Sequence, residues 1–515
     1  MHEPHTIRYE VGQDNVEVLG FDIHNPVFVI SAGLIVAFVA FVLMFPEGAK
    51  TFFGDLRPWL TSTFDWVFMG AANIFVLFCL FLIVSPLGKV RLGGADAKPD
   101  YSYAGWFAML FAAGMGIGLM FFGVLEPVYH FQNPPLGVSA EDPEAARAIG
   151  MAATIFHWGL HPWAIYAVVA LSLAFFSYNH GMPLTIRAAF FPLIGNRVWK
   201  WPGHLIDTLA VFATLFGLAT SLGFGAEQAI AGLNYLFDVP ATDTAKVILI
   251  LLITGAATLS VVAGLDGGVK RLSEINMILA LLLLLFVIVV GPTGDILSGY
   301  VSGLGNYLLD VVPLSNWVGR EDTDFMHGWT TFYWAWWISW SPFVGMFIAR
   351  VSRGRTVREF VICVLLVPTL LCVLWMSAFG GTAVHQFLDT GYSGVVETVT
   401  NWTPELSLFK MLEPLPLSGL LSAIGIVLVL VFFVTSSDSG SLVIDTITAG
   451  GKLDAPVPQR VFWAVFEGLV AIALMLGGGL ASLQAAAIAT GFPFAIVLVV
   501  MCYCLWRGLA NEPRS

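Results

Sequence analysis

The sequence predicts an all-α polytopic membrane protein of twelve transmembrane helices, in which two peripheral helices precede two blocks of five. Three observations carry this. Of the 515 residues, 57% are hydrophobic and 11% charged, against about 25% charged in soluble domains. Twelve apolar runs reach the roughly 20 residues that a bilayer-spanning helix needs. Lys and Arg are distributed unequally between alternate connecting segments, as the positive-inside rule requires.

The runs lie at 26–45, 64–85, 104–126, 153–177, 206–233, 246–264, 273–292, 328–349, 358–380, 417–443, 460–477 and 484–506. They divide the chain into a polar cytoplasmic N-terminus (1–25), two peripheral helices (26–103), a first block of five spans (104–292), an outer segment with an interfacial helix (293–327), a second block (328–506) and a short cytoplasmic tail (507–515). Residues 1–25 have no basic stretch leading into a short apolar core, so they do not read as a cleaved signal. With both termini inside, 17 of the 23 Lys and Arg are cytoplasmic and only Lys50, Arg57, Arg147, Lys246, Arg320 and Lys410 are outside. That places the chain in the plasma (inner) membrane, in contact with lipid.

Composition also excludes functions. A net charge of −12 without a basic patch argues against nucleic acid as a partner. Cys79, Cys363, Cys372, Cys502 and Cys504 all fall in apolar runs, as buried thiols do, without metal-site spacing. No G-x-S-x-G elbow supports a hydrolase built on Ser436-Ser437-Asp438-Ser439 and His157. No filter motif or ring of charges supports a channel. The chain does not read as an enzyme.

Two spans look interrupted. The third contains Gly114-Met115-Gly116-Ile117-Gly118; three glycines cost about 1 kcal/mol each relative to alanine in a helix, which makes a break plausible. Gly114 and Gly118 equally form a G-x-x-x-G packing pair. The eighth span carries Ser339-Trp340-Ser341-Pro342, where proline removes a helix hydrogen bond and the serines can satisfy freed backbone groups. This reads as a second break. The two spans open two blocks of five, and five being odd, the blocks have opposite orientation. Interrupted helices at corresponding positions of inverted halves point to a midplane substrate site.

The second interruption is crowded with rings. Trp329, Trp334, Trp336, Trp337 and Trp340 fall within twelve residues; Trp329 reads as part of the interfacial belt. Tyr333, Trp337 and Trp340 make an i, i+4, i+7 stripe on one helix face. The fourth span adds Trp158, Trp163 and Tyr166. Aromatic cages recognise quaternary ammonium, because a methylated nitrogen donates no hydrogen bonds. Glu126, Glu227, Asp266 and Asp438 lie in or near spans, where ionisable groups are functional by default; Glu126 and Asp266 fall near span ends, within reach of water.

On these residues the chain resembles the betaine/choline/carnitine transporter family. The likeness rests on Gly114 through Gly123 with Glu126-Pro127, on Phe156-His157-Trp158 with Leu160 through Tyr166, on Phe332 through Phe343 with Gly345-Met346-Phe347 and Arg350, and on Thr435-Ser436-Ser437-Asp438-Ser439. It implies the inverted-repeat fold of the amino-acid/sodium symporters, usually as a homotrimer. It implies an aromatic box for the trimethylammonium group at Trp158, Trp163, Tyr166 and Trp337, with Phe332, Trp336 and Trp340 along the substrate pathway and Gly114 and Met115 at the substrate. Sodium, as coupling ion, would meet Ala112 and Met115 with Phe432, Thr435 and Ser436, oxygen ligands suiting a hard cation. Back-bonding of Thr435 and Ser436 within their own helix is the bland alternative. For the family's second sodium site Thr214 and Phe343 match, but Leu218 stands where another threonine belongs. The expectation is sodium-coupled symport of an onium osmolyte, with glycine betaine first; a proton-coupled choline or dimethylsulfoniopropionate/betaine carrier is the alternative. No covalent cofactor is expected.

Overall fold

The computed structural model describes residues 9–114, 116–263 and 266–512, residues 266–269 by their backbone alone. Long helices dominate: α1 (Val27–Met44), α2 (Pro46–Val84), α3 (Tyr103–Gly114), α4 (Ile117–Gln132), α5 (Pro143–Trp158), α6 (Leu160–His180), α7 (Trp201–Phe237), α8 (Asp243–Ala263), α9 (Asp266–Val290), α10 (Thr293–Ser315), α11 (Thr331–Arg350), α12 (Val357–Thr390), α13 (Ser418–Thr448), α14 (Val457–Leu476) and α15 (Leu480–Ala510). Ten helical stretches among the described residues are long and apolar enough to cross a membrane, and the bent pair α3–α4 adds an eleventh. α11, also 20 residues long, is absent from that set because its tryptophans and serines lower its apolarity. It is buried along nearly its whole length, so protein rather than lipid surrounds it. Outer helices instead expose large apolar side chains such as Leu77, Val84, Leu252 and Leu309, which suits a hydrocarbon environment.

Several edges differ from expectation for identifiable reasons. α2 begins at Pro46, well before residue 64, because Pro58 sits inside the helix without ending it. The fourth span is two helices, α5 and α6, meeting at Gly159; a Cβ there would fall 2.6 Å from the Ile155 carbonyl oxygen, so only glycine fits this junction. The polar N-terminal segment forms a hairpin, Asn15–Val18 against Phe21–His24. It docks on the ends of α13 and α14: Asn15 Nδ2 donates to the Ala449 carbonyl at 2.8 Å, Asp22 N–H to Gln459 Oε1 at 3.2 Å, and Lys452 pairs with Asp22.

The break in the third span is present. α3 and α4 meet at 68° across residues 115–116; Met115 lies outside the described residues. The second expected break is absent: α11 runs unbroken through Pro342. Proline cannot donate to the Ile338 carbonyl four residues back, but Ser341 Oγ donates to that oxygen at 2.7 Å. The serine heals the ladder it was expected to help interrupt. The irregularity lies just before α11 begins, in a π-helical turn at Met326–Thr330.

Candidate functional site

A cavity of about 280 Å³ lies where α3, α4, α5, α6, α7, α9, α11 and α13 converge. The 68° bend turns the C-terminal end of α3 and the N-terminal end of α4 toward the same space. Ala112, Ala113 and Gly114 line it from the first, Gly116, Ile117, Gly118 and Leu119 from the second. A helix C-terminus leaves carbonyls without intrahelical partners and an N-terminus leaves N–H groups, each carrying about half a unit charge. α4 has no side-chain cap at Gly116, and its first residues lie on the cavity wall. One wall of the site therefore presents a negative and a positive backbone end side by side.

The adjoining part of the wall is aromatic. Trp158, Tyr166, Trp336, Trp337 and Trp340 all line the cavity. Trp337 is the hub, with ring centroids 5.5 Å from Trp158, 4.8 Å from Tyr166 and 5.7 Å from Trp163. Three indoles are fixed by N–H donation: Trp158 to Glu126 Oε2 at 2.7 Å, Trp336 to Ser221 Oγ at 3.0 Å and Trp340 to the Gly217 carbonyl at 2.9 Å. Trp163 does not line the cavity; fully buried, it backs Tyr166 at 5.4 Å. Along α11 the lining residues are Trp336, Trp337, Trp340, Phe343, Val344 and Phe347, one helical face. Tyr333, expected on that stripe, sits a turn beyond the cavity against Glu126 at 2.5 Å.

α13 contributes Phe432, Thr435, Ser436 and Ser439. The Thr435 hydroxyl donates to the Val431 carbonyl at 2.9 Å, the back-bond weighed above, while its oxygen remains on the cavity wall. Thr214 does not line the cavity: it is fully buried and its hydroxyl donates to the Ala210 carbonyl at 2.7 Å. Phe343 is on the wall. Leu218 packs against Gly440, with the side chain 2.4 Å from where a Cβ would stand, so that space is filled by an apolar group.

Phe332 faces away, into a second cavity of about 640 Å³ bordered by Arg57, Tyr129, Asp324, His327, Trp329 and Trp402. It stacks on Trp336 at 5.6 Å and 12°, and Phe122 and Phe224, 5.3 Å apart, close around that pair at 5.6–5.9 Å. This layer of rings stands between the two cavities, Trp336 lining the first and Phe332 the second. Trp329 belongs to this layer rather than to an interfacial belt, buried against Tyr129 at 4.6 Å.

Glu126 does not reach water. It is completely buried, with Oε1 2.6 Å from His157 Nδ1 and 3.4 Å from His130 Nε2. Oε2 accepts from Trp158 and Tyr333. Sequence reasoning named Glu126 and His157 separately and missed the cluster; the signal available was a carboxylate in an apolar run with a histidine four residues on. It also missed Ser221, Ser273 and Asn276 on the cavity wall, which carry no pattern. Glu227 pairs with Lys246 at 2.8 Å and Asp438 with Arg460 at 3.3 Å; the Asp266 side chain lies outside the described residues.

A bundle of apolar spans around a central cavity, entered by a bent helix, defines an integral, multi-pass membrane protein with an internal cavity. The profile of the betaine/carnitine/choline family of transporters matches residues 26–514, and the chain belongs to that family, whose members are transporters rather than enzymes. A glycine betaine/proline/choline transporter of Vibrio parahaemolyticus is 61% identical, the match covering 98% of this chain and 94% of that one. Glycine betaine transporter 1 of the same species is 56% identical over 98% and 97%. The glycine betaine transporter OpuD of Bacillus subtilis is 42% identical over 95% of each chain.

Proposed function

We propose that this chain is a sodium-coupled symporter that carries a quaternary-ammonium osmolyte, glycine betaine foremost, into the cell by alternating access. The observation that carries the reading is the three-part wall of the cavity: aromatic faces, an uncapped helix N-terminus, and a helix C-terminus opposite hydroxyls. Trp158, Tyr166 and Trp337, backed by Trp163, take the trimethylammonium head, since desolvated cation–π contacts contribute about 2 kcal/mol or more. The N–H groups at the start of α4 suit the carboxylate, as helix N-termini do in other broken-helix transporters; choline lacks that group. Three similar proteins are named for glycine betaine.

For sodium we propose the carbonyl of Ala112 at the end of α3 with Phe432, Thr435 and Ser436 of α13, together with Met115, which the resemblance adds and which lies outside the described residues. Leu218 at the place of a second-site threonine, with Thr214 back-bonded, favours one sodium site over two. Counting α11 with the eleven apolar spans gives twelve, which we read as two helices before two inverted blocks of five, with both termini cytoplasmic and the chain assembled as a homotrimer. The cavity then continues toward the cytoplasmic end of α11 through Phe343 and Phe347, while the ring layer at Phe332 closes the outer side.

The test is uptake of labelled glycine betaine into proteoliposomes under an inward sodium gradient or an inward proton gradient, at matched membrane potential. Sodium-driven uptake is expected. Proton-driven uptake alone would discard the sodium site and favour the proton-coupled alternative. Trp337→Leu should weaken betaine binding far more than sodium binding; equal losses would count against the box.

A further inference from the structure

We propose that Glu126 is a positioning residue for the cation-binding ring Trp158, and that its carboxylate sets how strongly this transporter prefers an onium head group over a neutral one of the same shape. The inference rests on the proposed placement of the onium group in the aromatic box. Trp158 lines the cavity with its ring, and its only polar atom points away from the cavity, into Glu126 Oε2 at 2.7 Å. A carboxylate accepting an N–H makes a charge-assisted hydrogen bond, short and directional. Such a bond fixes the plane of the indole. It also polarises the N–H toward the acceptor, leaving the ring face more negative, and it is that face which attracts a cation.

The carboxylate is itself held in place. His157 Nδ1 at 2.6 Å fixes Oε1, and the Tyr333 hydroxyl shares Oε2 with Trp158. His157 Nε2 is anchored in turn on Thr330 Oγ1 at 2.9 Å, at the π-helical turn before α11. All of these groups are buried. Two elements of the cavity wall, α5 with Trp158 and α11 with Tyr333, thus meet on one residue of α4. Neither a neutral amide nor a methylene in its place could accept from all three donors with full charge.

The experiment is a competition assay on the purified, reconstituted protein. Binding of glycine betaine is compared with that of 3,3-dimethylbutanoate, in which carbon replaces the nitrogen and the shape and carboxylate are kept. The wild-type protein should prefer the betaine. Glu126→Gln should lower that preference by roughly tenfold, with the sodium dependence of binding unchanged. Trp158→Phe keeps a ring but lacks the N–H, so adding Glu126→Gln to it should lower the preference no further.

A preference unchanged in Glu126→Gln, or lowered equally in the Trp158→Phe background, would overturn the proposal and leave the box intact. A wild-type protein that binds the two compounds equally would overturn both the proposal and the placement it rests on. Should Glu126→Gln not fold, Trp158→Phe alone carries the test: undiminished preference for the betaine refutes the role of the N–H bond.

Discussion

Gly118 and Gly116 belong to one motif, yet alanine should be damaging at the first and tolerated at the second. A Cβ on Gly118 would stand 2.8 Å from Trp336 Cη2 and 2.9 Å from Trp158 Cη2. Carbon contacts are comfortable only from about 3.5 Å, so the edges of two buried indoles must each retreat by roughly 0.6–0.7 Å. Neither is free to do so, because one N–H is fixed on Ser221 and the other on Glu126. Overpacking of this kind costs about 1–3 kcal/mol; expressed in binding, that is a factor of about 5 to 150 in affinity. Gly116 has nothing within 4 Å of its Cβ position, and its extended backbone, φ −178° and ψ −170°, is open to alanine. Betaine titration by tryptophan fluorescence, with uptake measured in parallel, should show Gly118→Ala weakened at least fivefold and Gly116→Ala within about twofold of wild type. An unaltered affinity in Gly118→Ala would show that the two rings are not held where the cavity wall needs them. Equal damage at Gly116 would show that the motif serves the bend rather than the rings.

Other consequences are open to measurement. Ser341→Ala removes the hydroxyl that replaces the missing N–H at Pro342 and should cost about 1–3 kcal/mol in thermal or denaturant stability; Ser341→Ala with Pro342→Ala should regain most of it, and no rescue would refute the healing role. Thr435→Ala with Ser436→Ala should raise the sodium concentration for half-maximal uptake tenfold or more, a loss of about 1.4 kcal/mol, and an unchanged sodium curve would remove these hydroxyls from the ion site. His24, on the docked hairpin, is pushed down to about 3 by burial, then by the nearby Arg187 and His204. The unfolded hairpin therefore binds a proton more readily than the docked one. Docking should be fully present above pH 6.5 and weaken as pH falls from 6.5 toward about 3, by at most about 1.4 kcal/mol per unit. The hydrogen-exchange protection factors of residues 15–24, which correct for the intrinsic pH dependence of exchange, should fall on acidification in wild type and much less in His24→Gln; equal responses would assign the effect elsewhere.

Much of this was legible in the sequence because it depends on composition and spacing. Apolar runs marked the spans, alternate glycines marked the bend between α3 and α4, and tryptophans at helical spacing marked the α11 face that reaches the cavity. What was not legible depends on groups that meet only in three dimensions. Pro342 read as a break because its lost hydrogen bond is visible in the sequence, whereas the rotamer that brings Ser341 Oγ to the Ile338 carbonyl is not. Glu126 read as a group near water because its position in the run is visible, whereas the donors around it come from α5 and α11, 31 to 207 residues away. Gly159 carried no signal against the 52 glycines of the chain, although it separates the two helices that present Trp158 and Trp163.

The proposed coupling follows from where the bend places its neighbours. A ligand shifts a conformational equilibrium only by its differential affinity for the two states, so sodium must favour one arrangement of α3 against α4. Its proposed ligands lie at the C-terminal end of α3, just before the bend, at the bend itself, and on α13. Gly118 lies just beyond the bend, in the first turn of α4, packed against Trp158 and Trp336. A change of angle at residues 115–116 would therefore move the surface against which two rings of the cavity wall are seated. Trp336 in turn stacks on Phe332 in the layer that divides the two cavities. Ion, box and outer closure thus depend on one short run of α4, from Ile117 to Phe122, and a substitution there should alter sodium dependence and betaine affinity together. A substitution confined to α6, such as one at Trp163, should alter betaine affinity alone.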